Sequence, residues 1–475
     1  MRFPLKTLSF KKLKKQVKKT IPWIEPIADG RPEILLDIHP SDNIRISEPR
    51  DNRCAICKGN RLLCGKTHCP VVARAHAFQK TASPLSSSEL SGSSPPGVFV
   101  GRIGYPHVYV GPMVPSYHGD TTLLDQTESW FDFDLPKILE LRSSLVRGMF
   151  RAKVTDLKNS NKILAQTREL TLSQGSADAE MSLKRPPSLK LEVNADVQPM
   201  GPSGPIAAFS VDVEKTDHQI ENAFYDGDLL AQDAVIDLYN SGRVFQSAIT
   251  RAFSVGIFGQ EKHRRLVPTR WSITAVDSML GLHFRDTIVR QAPWINEFRV
   301  FEANHFPEIS QNPDGTVSGK LGNRFLVLMI PGSWSYELIE AFFPGASWNP
   351  HGPSIGMCSD WEPYRGRTTY ARIGGCYYTA RLRVAEYLAN EGRQAMVVVM
   401  REEYPTMTMP VGVWLVREIV RRALQSPYRK FDTLKDALNY ISSRFKIPLE
   451  TWINTSDILQ REKAVGHQSR LDQWV

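Results

Sequence analysis

The sequence predicts an α+β fold: a mixed α/β body with a small N-terminal four-cysteine metal knuckle and a flexible C-terminal tail. Three observations predict it. Short apolar runs alternate with helix-length amphipathic segments through the C-terminal third. Four of the six cysteines fall between Cys54 and Cys69. The last residues are mostly polar and end in a Trp-Val pair. The 475 residues, 41% hydrophobic and 23% charged, are enough to bury a sizeable core. That excludes a disordered chain and a disulfide-stapled module. No apolar run is long enough to span a bilayer, and the N-terminus lacks a signal-peptide core. The expectation is a cytoplasmic protein.

Taken in order, residues 1–22 form a basic arm. The formal charge is +9, and the first twenty residues supply +8 of it through Arg2 and seven lysines with no acid. The rest is close to neutral. Lys14, Lys15 and Lys18 are candidates for phosphate contact, since such arms neutralise DNA and release counterions. Leu5, Leu8, Leu13, Val17 and Ile21 could also form one apolar stripe, which leaves an anionic membrane surface or a plain solvated arm open. Residues 23–80 hold the cysteine cluster and the helix-capable VVARAHAFQK. The body, 81–450, begins with a Ser-rich stretch that reads as a linker by composition. The strands VFVG and HVYVG follow, then a helix over roughly 135–150. A polar insertion is expected near 155–220. Helical periodicity returns over 228–253. Beyond it come the strands EFRVFEA, NRFLVLMIPG and QAMVVVM and the helices YYTARLRVAEYLANEG, GVWLVREIVRRALQS and LKDALNYISSRF. Residues 451–475 read as the tail.

The cluster Cys54-x2-Cys57-x6-Cys64-x4-Cys69 is the strongest chemical signal. A close Cys pair presents two thiolates from one turn, and Gly59 and Gly65 let later thiolates swing onto the same ion. Four thiolates suit a closed, structural Zn²⁺ site, with an iron–sulfur cluster the lesser alternative. His68 could replace Cys69 as the fourth ligand. Cys358 and Cys376 stand apart and read as core.

The chain ends Gln468-Ser-Arg-Leu471-Asp-Gln-Trp474-Val475. This resembles the PIP motif, the peptide by which replication and repair proteins dock on the sliding clamp PCNA. One turn of 3₁₀ helix brings residues three apart onto one side, so Leu471 and Trp474 could fill one pocket. Gln468 would bond at its edge. Val475 departs from the pattern, which usually ends in two aromatics.

Several longer strings, CAICKGNRLLCGKTHCP, GSSPPGVFVGRIGYPHVYVGPM, VPTRWSITAVD and GRTTYARIGGCYYTARLRVAEYL, resemble the archaeal Nre family of DNA repair proteins. The resemblance runs from about Cys54 to Val475, omitting the arm and 155–220. It implies an archaeal protein of the DNA-damage response, associated with the nucleoid, with zinc on Cys54, Cys57, Cys64 and Cys69. It also implies PCNA as partner through Gln468 to Val475. It implies no reaction. It does raise the interest of Ser93 and Ser94, which enter a strand where hydroxyls and backbone N–H groups could hold a phosphate.

No nuclease, glycosylase or nucleotide-hydrolase signature is present. Polar clusters in apolar surroundings supply the candidates. Asp120 and Asp125, with Glu128, could hold Mg²⁺ or Mn²⁺ for phosphodiester hydrolysis. Asp277, Asp360 and Glu402 are further catalytic candidates, Glu402 because it follows the strand QAMVVVM. Arg264, Arg265, Arg270 and Trp271 combine guanidinium groups with an aromatic face suited to DNA. His118, His263 and His305 are candidate acid–base groups. The expected function is a clamp-recruited DNA repair protein, either a metal-dependent enzyme on damaged DNA or a non-catalytic adaptor.

Overall fold

The computed structural model describes residues 44–46, 52–57, 61–64, 66, 69–82, 87–155, 162–173, 175–184, 186–187, 189–191, 207–217, 231–258, 264–305, 310–311, 317–318 and 322–463. Along the chain, β1 (Ile44–Ile46) precedes α1 (Asn52–Cys57) and α2 (Pro70–Ala82). Next are β2 (Glu89–Ser94), β3 (Val98–Val100), β4 (His107–Val114), α3 (Leu135–Ser143) and β5 (Val146–Lys153). Then come α4 (Lys162–Thr171), β6 (Ala177–Leu183), β7 (Leu189–Leu191), β8 (Ala207–Asp217), α5 (Ala231–Asn240), α6 (Gln246–Ser254) and α7 (Thr269–Gln291). The C-terminal half holds β9 (Phe298–His305), β10 (Ser310–Gln311), β11 (Val317–Ser318), β12 (Asn323–Ile330), β13 (Ser335–Phe342) and β14 (Gly356–Glu362). It closes with α8 (Gly375–Glu391), β15 (Met396–Glu403), α9 (Trp414–Gln425), β16 (Arg429–Phe431), α10 (Leu434–Arg444) and α11 (Leu449–Thr455).

Two six-stranded mixed sheets organise these elements. The first has the order β2-β6-β8-β5-β4-β3, with β5–β8 its parallel pair. The second has the order β14-β13-β15-β12-β9-β16, with β13–β15 parallel. Central strands β12 and β15 are covered on both faces, so they read as unbroken apolar runs instead of alternating ones. On one face, Phe325, Val327, Val397 and Val399 meet α8 and α9 through Tyr377, Ala380, Val384, Leu415 and Ile419. On the other, Leu326, Leu328, Val398 and Met400 meet Ile441 of α10 and Trp452 of α11.

Helix α7 ties the two halves together. Its Val276 and Leu280 enter the core of the first sheet with Val98, Val100, Val108 and Val110. Its Gly281 lies against α8, where a Cβ would come within 3.4 Å of the Leu382 backbone. Covered on both sides, α7 has no single apolar stripe and buries Asp277 and Arg285. In the first sheet, β4 and β5 approach at Gly111, whose Cβ would fall 1.7 Å from the Gly148 carbonyl oxygen. Only glycine fits there.

The mixed α/β body expected from the sequence is present, with several boundaries revised. The helix read over 135–150 stops at Ser143, and Leu145 and Phe150 belong instead to the turn into β5 and to β5 itself. The Ser-rich stretch is partly strand β2, with Ser93 and Ser94 buried. The 155–220 region carries α4, β6, β7 and β8. The 228–253 segment is two helices broken around Gly242, whose φ is +65°. The tail begins later than 451: residues 457–463 are helical, and Trp452, Ile458 and Leu459 are buried. Among the described residues, no helix is long and apolar enough to cross a membrane.

Candidate functional site

Most of the sequence-predicted carboxylates are committed to holding elements together. Asp125 is buried and receives the Arg251 guanidinium through Nη2–Oδ1 at 2.7 Å and Nε–Oδ2 at 3.2 Å. Burial pushes its carboxyl above the ordinary range, against the pull of Arg251. Asp277 accepts from Arg417 Nη2 at 3.2 Å and from Gln246 of α6. Burial raises its carboxyl too, against Arg417. Asp360, on β14, accepts from Arg367 Nη2 at 3.0 Å, the Arg372 amide at 2.6 Å and the Trp361 amide at 2.9 Å. Burial raises that carboxyl, but the hydrogen bonds outweigh it and hold Asp360 below the usual carboxylate value. Glu402 does follow the apolar run of β15, yet its carboxylate faces the C-terminal helices. There it accepts from the Lys446 and Ile447 amides at 2.9 and 2.8 Å and from the Tyr404 hydroxyl. These four charges are enclosed and satisfied by protein groups, the pattern of structural ion pairs and caps. Glu128 likewise accepts from Ser247, at 2.8 Å from its amide and 2.9 Å from its hydroxyl.

Asp120 differs. It is exposed and accepts from the Thr122 amide at 3.0 Å, and its hydrogen bonds with Thr122 hold its carboxyl below the ordinary value. Beside it, strands β2 and β6 assemble a polar chain that sequence reading did not join. His118 Nδ1 lies 3.0 Å from Asp178 Oδ1, and His118 Nε2 lies 3.1 Å from Ser91 Oγ. Ser93 Oγ donates to the same Asp178 oxygen at 2.5 Å. That bond, and the one from His118, lower the Asp178 carboxyl. An imidazole held between a carboxylate and a serine hydroxyl can take a proton from that hydroxyl. The signal that could have located it is the alternation A-D-A-E-M-S-L over β6, which puts Asp178 outward while Ala177 and Ala179 face the core.

Ser93 and Ser94 do not offer free hydroxyls to a phosphate. Ser94 Oγ donates to the Met113 carbonyl at 3.0 Å, Ser93 Oγ to Asp178, and both residues are buried. His305 is buried as well, its Nε2 2.9 Å from the Phe131 carbonyl oxygen.

Arg264, Arg265, Arg270 and Trp271 lie on the segment that leads into and opens α7. The segment is pinned to the first sheet by Leu266 N–H to Val154 O at 2.9 Å and Val100 N–H to Thr269 Oγ1 at 2.9 Å. Arg265, Arg270 and Trp271 are exposed there.

Of the cysteine cluster, Cys57 is buried and Cys54, Cys64 and Cys69 are partly so. Burial raises the Cys69 thiol. The Val72 and Val71 amides at the start of α2 lower it, and the charges of Cys57 and Cys64 raise it again. Burial prevails, and the Cys69 thiol sits above its ordinary value. Among the described residues, no group of three or more His, Cys, Asp or Glu side chains is arranged to hold a metal ion. His68, His263, Lys14, Lys15, Lys18 and the terminal Gln468, Leu471, Trp474 and Val475 lie outside the described residues.

The sequence matches the family described as "Archaeal Nre, N-terminal" over residues 63–349 and that described as "Archaeal Nre, C-terminal" over 362–474. It is 37% identical to DNA repair protein NreB of Archaeoglobus fulgidus, covering 86% of this chain and 97% of that protein. It is 36% identical to DNA repair protein NreA of the same organism, over 82% and 93% of the two chains. NreA of Haloferax volcanii is 33% identical over 78% and 86%. No solved structure matches the chain. Matched across both family regions and over most of its length to these relatives, the chain belongs to the archaeal Nre family.

Proposed function

We propose that this chain is a DNA repair protein that binds DNA through the exposed basic face at 264–271 and through its N-terminal arm. In this reading its C-terminal peptide brings it to PCNA at the nucleoid. The observation that carries the proposal is the relationship to proteins named for DNA repair, which extends over nearly the whole of each of them. The enclosure of Asp125, Asp277, Asp360 and Glu402 by protein hydrogen-bond donors favours a binding factor over a nuclease that uses those carboxylates to hold a metal. Zinc on Cys54, Cys57, Cys64 and Cys69 would be structural, four thiolates leaving no open position.

The experiment measures the affinity of the zinc-quantified full chain for damaged, flapped and duplex DNA across a salt series. Affinity should fall steeply as salt rises, by about tenfold or more between 50 and 200 mM for several phosphate contacts. Absence of DNA binding at low salt would overturn the reading. A hydrolytic second reading rests on the Ser91–His118–Asp178 chain, with Mg²⁺ or Mn²⁺ at Asp120 as the metal-dependent form. Turnover on the same DNA panel that disappears with His118→Ala would favour it.

A further inference from the structure

The first sheet ends in a hairpin, β3 to β4, whose tip carries Ile103 at 80% exposure and Tyr105 at 51%. Trp271, in the first turn of α7, is 49% exposed, and its ring centroid lies 6.0 Å from that of Tyr105 with the planes tilted by 54°. Trp271 and Tyr105 lie 166 positions apart in the sequence, so only the fold brings the two rings together. Two aromatics and an isoleucine left together in water make a hydrophobic patch that ordinary folding does not require.

The surroundings state what such a patch would meet. The stretches 98–114, 146–155 and 264–276 build this face and contain no Asp or Glu. They contribute Arg102, Arg151, Lys153, Arg265 and Arg270, all exposed. Among the described residues, none of these five pairs with a carboxylate. A protein partner's apolar knob would fill the patch but leave the cations unmatched. A nucleotide offers both halves, a flat apolar base for the rings and a phosphate for the cations. In duplex DNA the base faces are already stacked on each other. Only an unpaired base presents its face to a ring.

We propose that Tyr105 and Trp271, with Ile103 at the hairpin tip, form a stacking platform for unpaired bases of DNA, flanked by cations that hold the adjoining phosphates. The inference deepens the DNA-binding reading and rests on it. Its substrate class is narrower: single-stranded gaps, flaps or extruded bases instead of intact duplex.

The test uses the full chain, a fluorescein-labelled oligothymidine and a labelled duplex of equal length, with binding followed by anisotropy at one salt concentration. The wild type should prefer the single strand. Tyr105→Ala with Trp271→Ala should weaken single-strand binding by about tenfold or more, the usual scale for losing base-stacking rings. Duplex affinity should hardly change, and Trp271→Phe should keep most of the single-strand affinity. Both rings are half exposed, so a thermal melt matching wild type is expected and confirms that folding is not the cause. Unchanged single-strand affinity in the double variant would overturn the platform, while leaving the DNA reading intact and pointing to a protein occupant. Equal losses on both DNAs would overturn the preference for unpaired bases. A wild type that binds neither DNA would instead sink the underlying reading.

Discussion

Asp360 shows how a buried carboxylate can look catalytic in sequence and be structural in the fold. Its side chain gathers the 361–372 loop by accepting from Arg367, Trp361 and Arg372. Asp360→Asn should lower the unfolding free energy at neutral pH by about 2 kcal/mol, the scale of hydrogen bonds to a charged group, read from denaturant midpoints. The pH dependence follows from the sign of the shift. The folded carboxyl sits below its unfolded value of about 3.9, so the stabilisation is fully present above that value. It is lost as pH falls through the lower folded value. The gap between wild type and variant should therefore close on acidification, and a gap that persists below both values would assign the loss to packing. The same confusion explains Asp125 and Asp277. Their partners, Arg251 and Arg417, lie more than a hundred residues away, beyond the reach of any local pattern.

The elements that were legible are those with one covered face or a long apolar run: β12, β15, α9 and α10. Those missed have physical reasons. Strand β2 is built from Ser and Gly because Gly92 packs against the Pro115 carbonyl, where a Cβ would fall 2.1 Å away. Composition therefore suggested a linker. Helix α7 is packed from two sides, which erases its stripe. Docking of the C-terminal helices likewise depends on polar groups, not on periodicity alone. Glu402 of β15 holds the Lys446 and Ile447 amides between α10 and α11. Glu337 of β13 takes the Ser456 hydroxyl at 2.6 Å and the Asp457 amide at 2.8 Å at the start of the 457–463 helical turns. Glu402→Ala removes one of these two anchors. Amide hydrogen exchange at Lys446 and Ile447 should accelerate by on the order of 10- to 100-fold, as expected for losing charge-assisted bonds, with the β12 and β15 amides still protected. Unchanged protection at 446–447 would show that burial of Ile441 and Trp452 alone docks these helices.

At the scale of the whole molecule, the sequence conveyed the α/β body and the family, but not the division into two sheets joined by α7. That division depends on β8 pairing with β5 and β6, and on β13 lying beside β15, pairings between strands distant in sequence. Two proposed nucleic-acid-related features occupy different parts of the chain: the basic face at 264–271 and the terminal peptide 468–475. If the terminal peptide docks on PCNA while the basic face holds DNA, the two contacts act as linked binding sites. The second contact then forms at the effective concentration set by the intervening chain. Leu471→Ala with Trp474→Ala should leave affinity for clamp-free DNA unchanged, because neither residue belongs to the basic face. On DNA carrying loaded PCNA, the same variant should be retained about 100-fold less than wild type, the scale on which losing one of two linked sites abolishes avidity. The comparison is made by surface capture of clamp-loaded and clamp-free DNA at matched salt, since the DNA contact weakens with ionic strength and would otherwise mimic loss of the clamp. Equal retention of wild type and variant on loaded DNA would remove the terminal peptide from clamp binding. A loss seen equally without the clamp would mean that the peptide contributes to DNA binding instead.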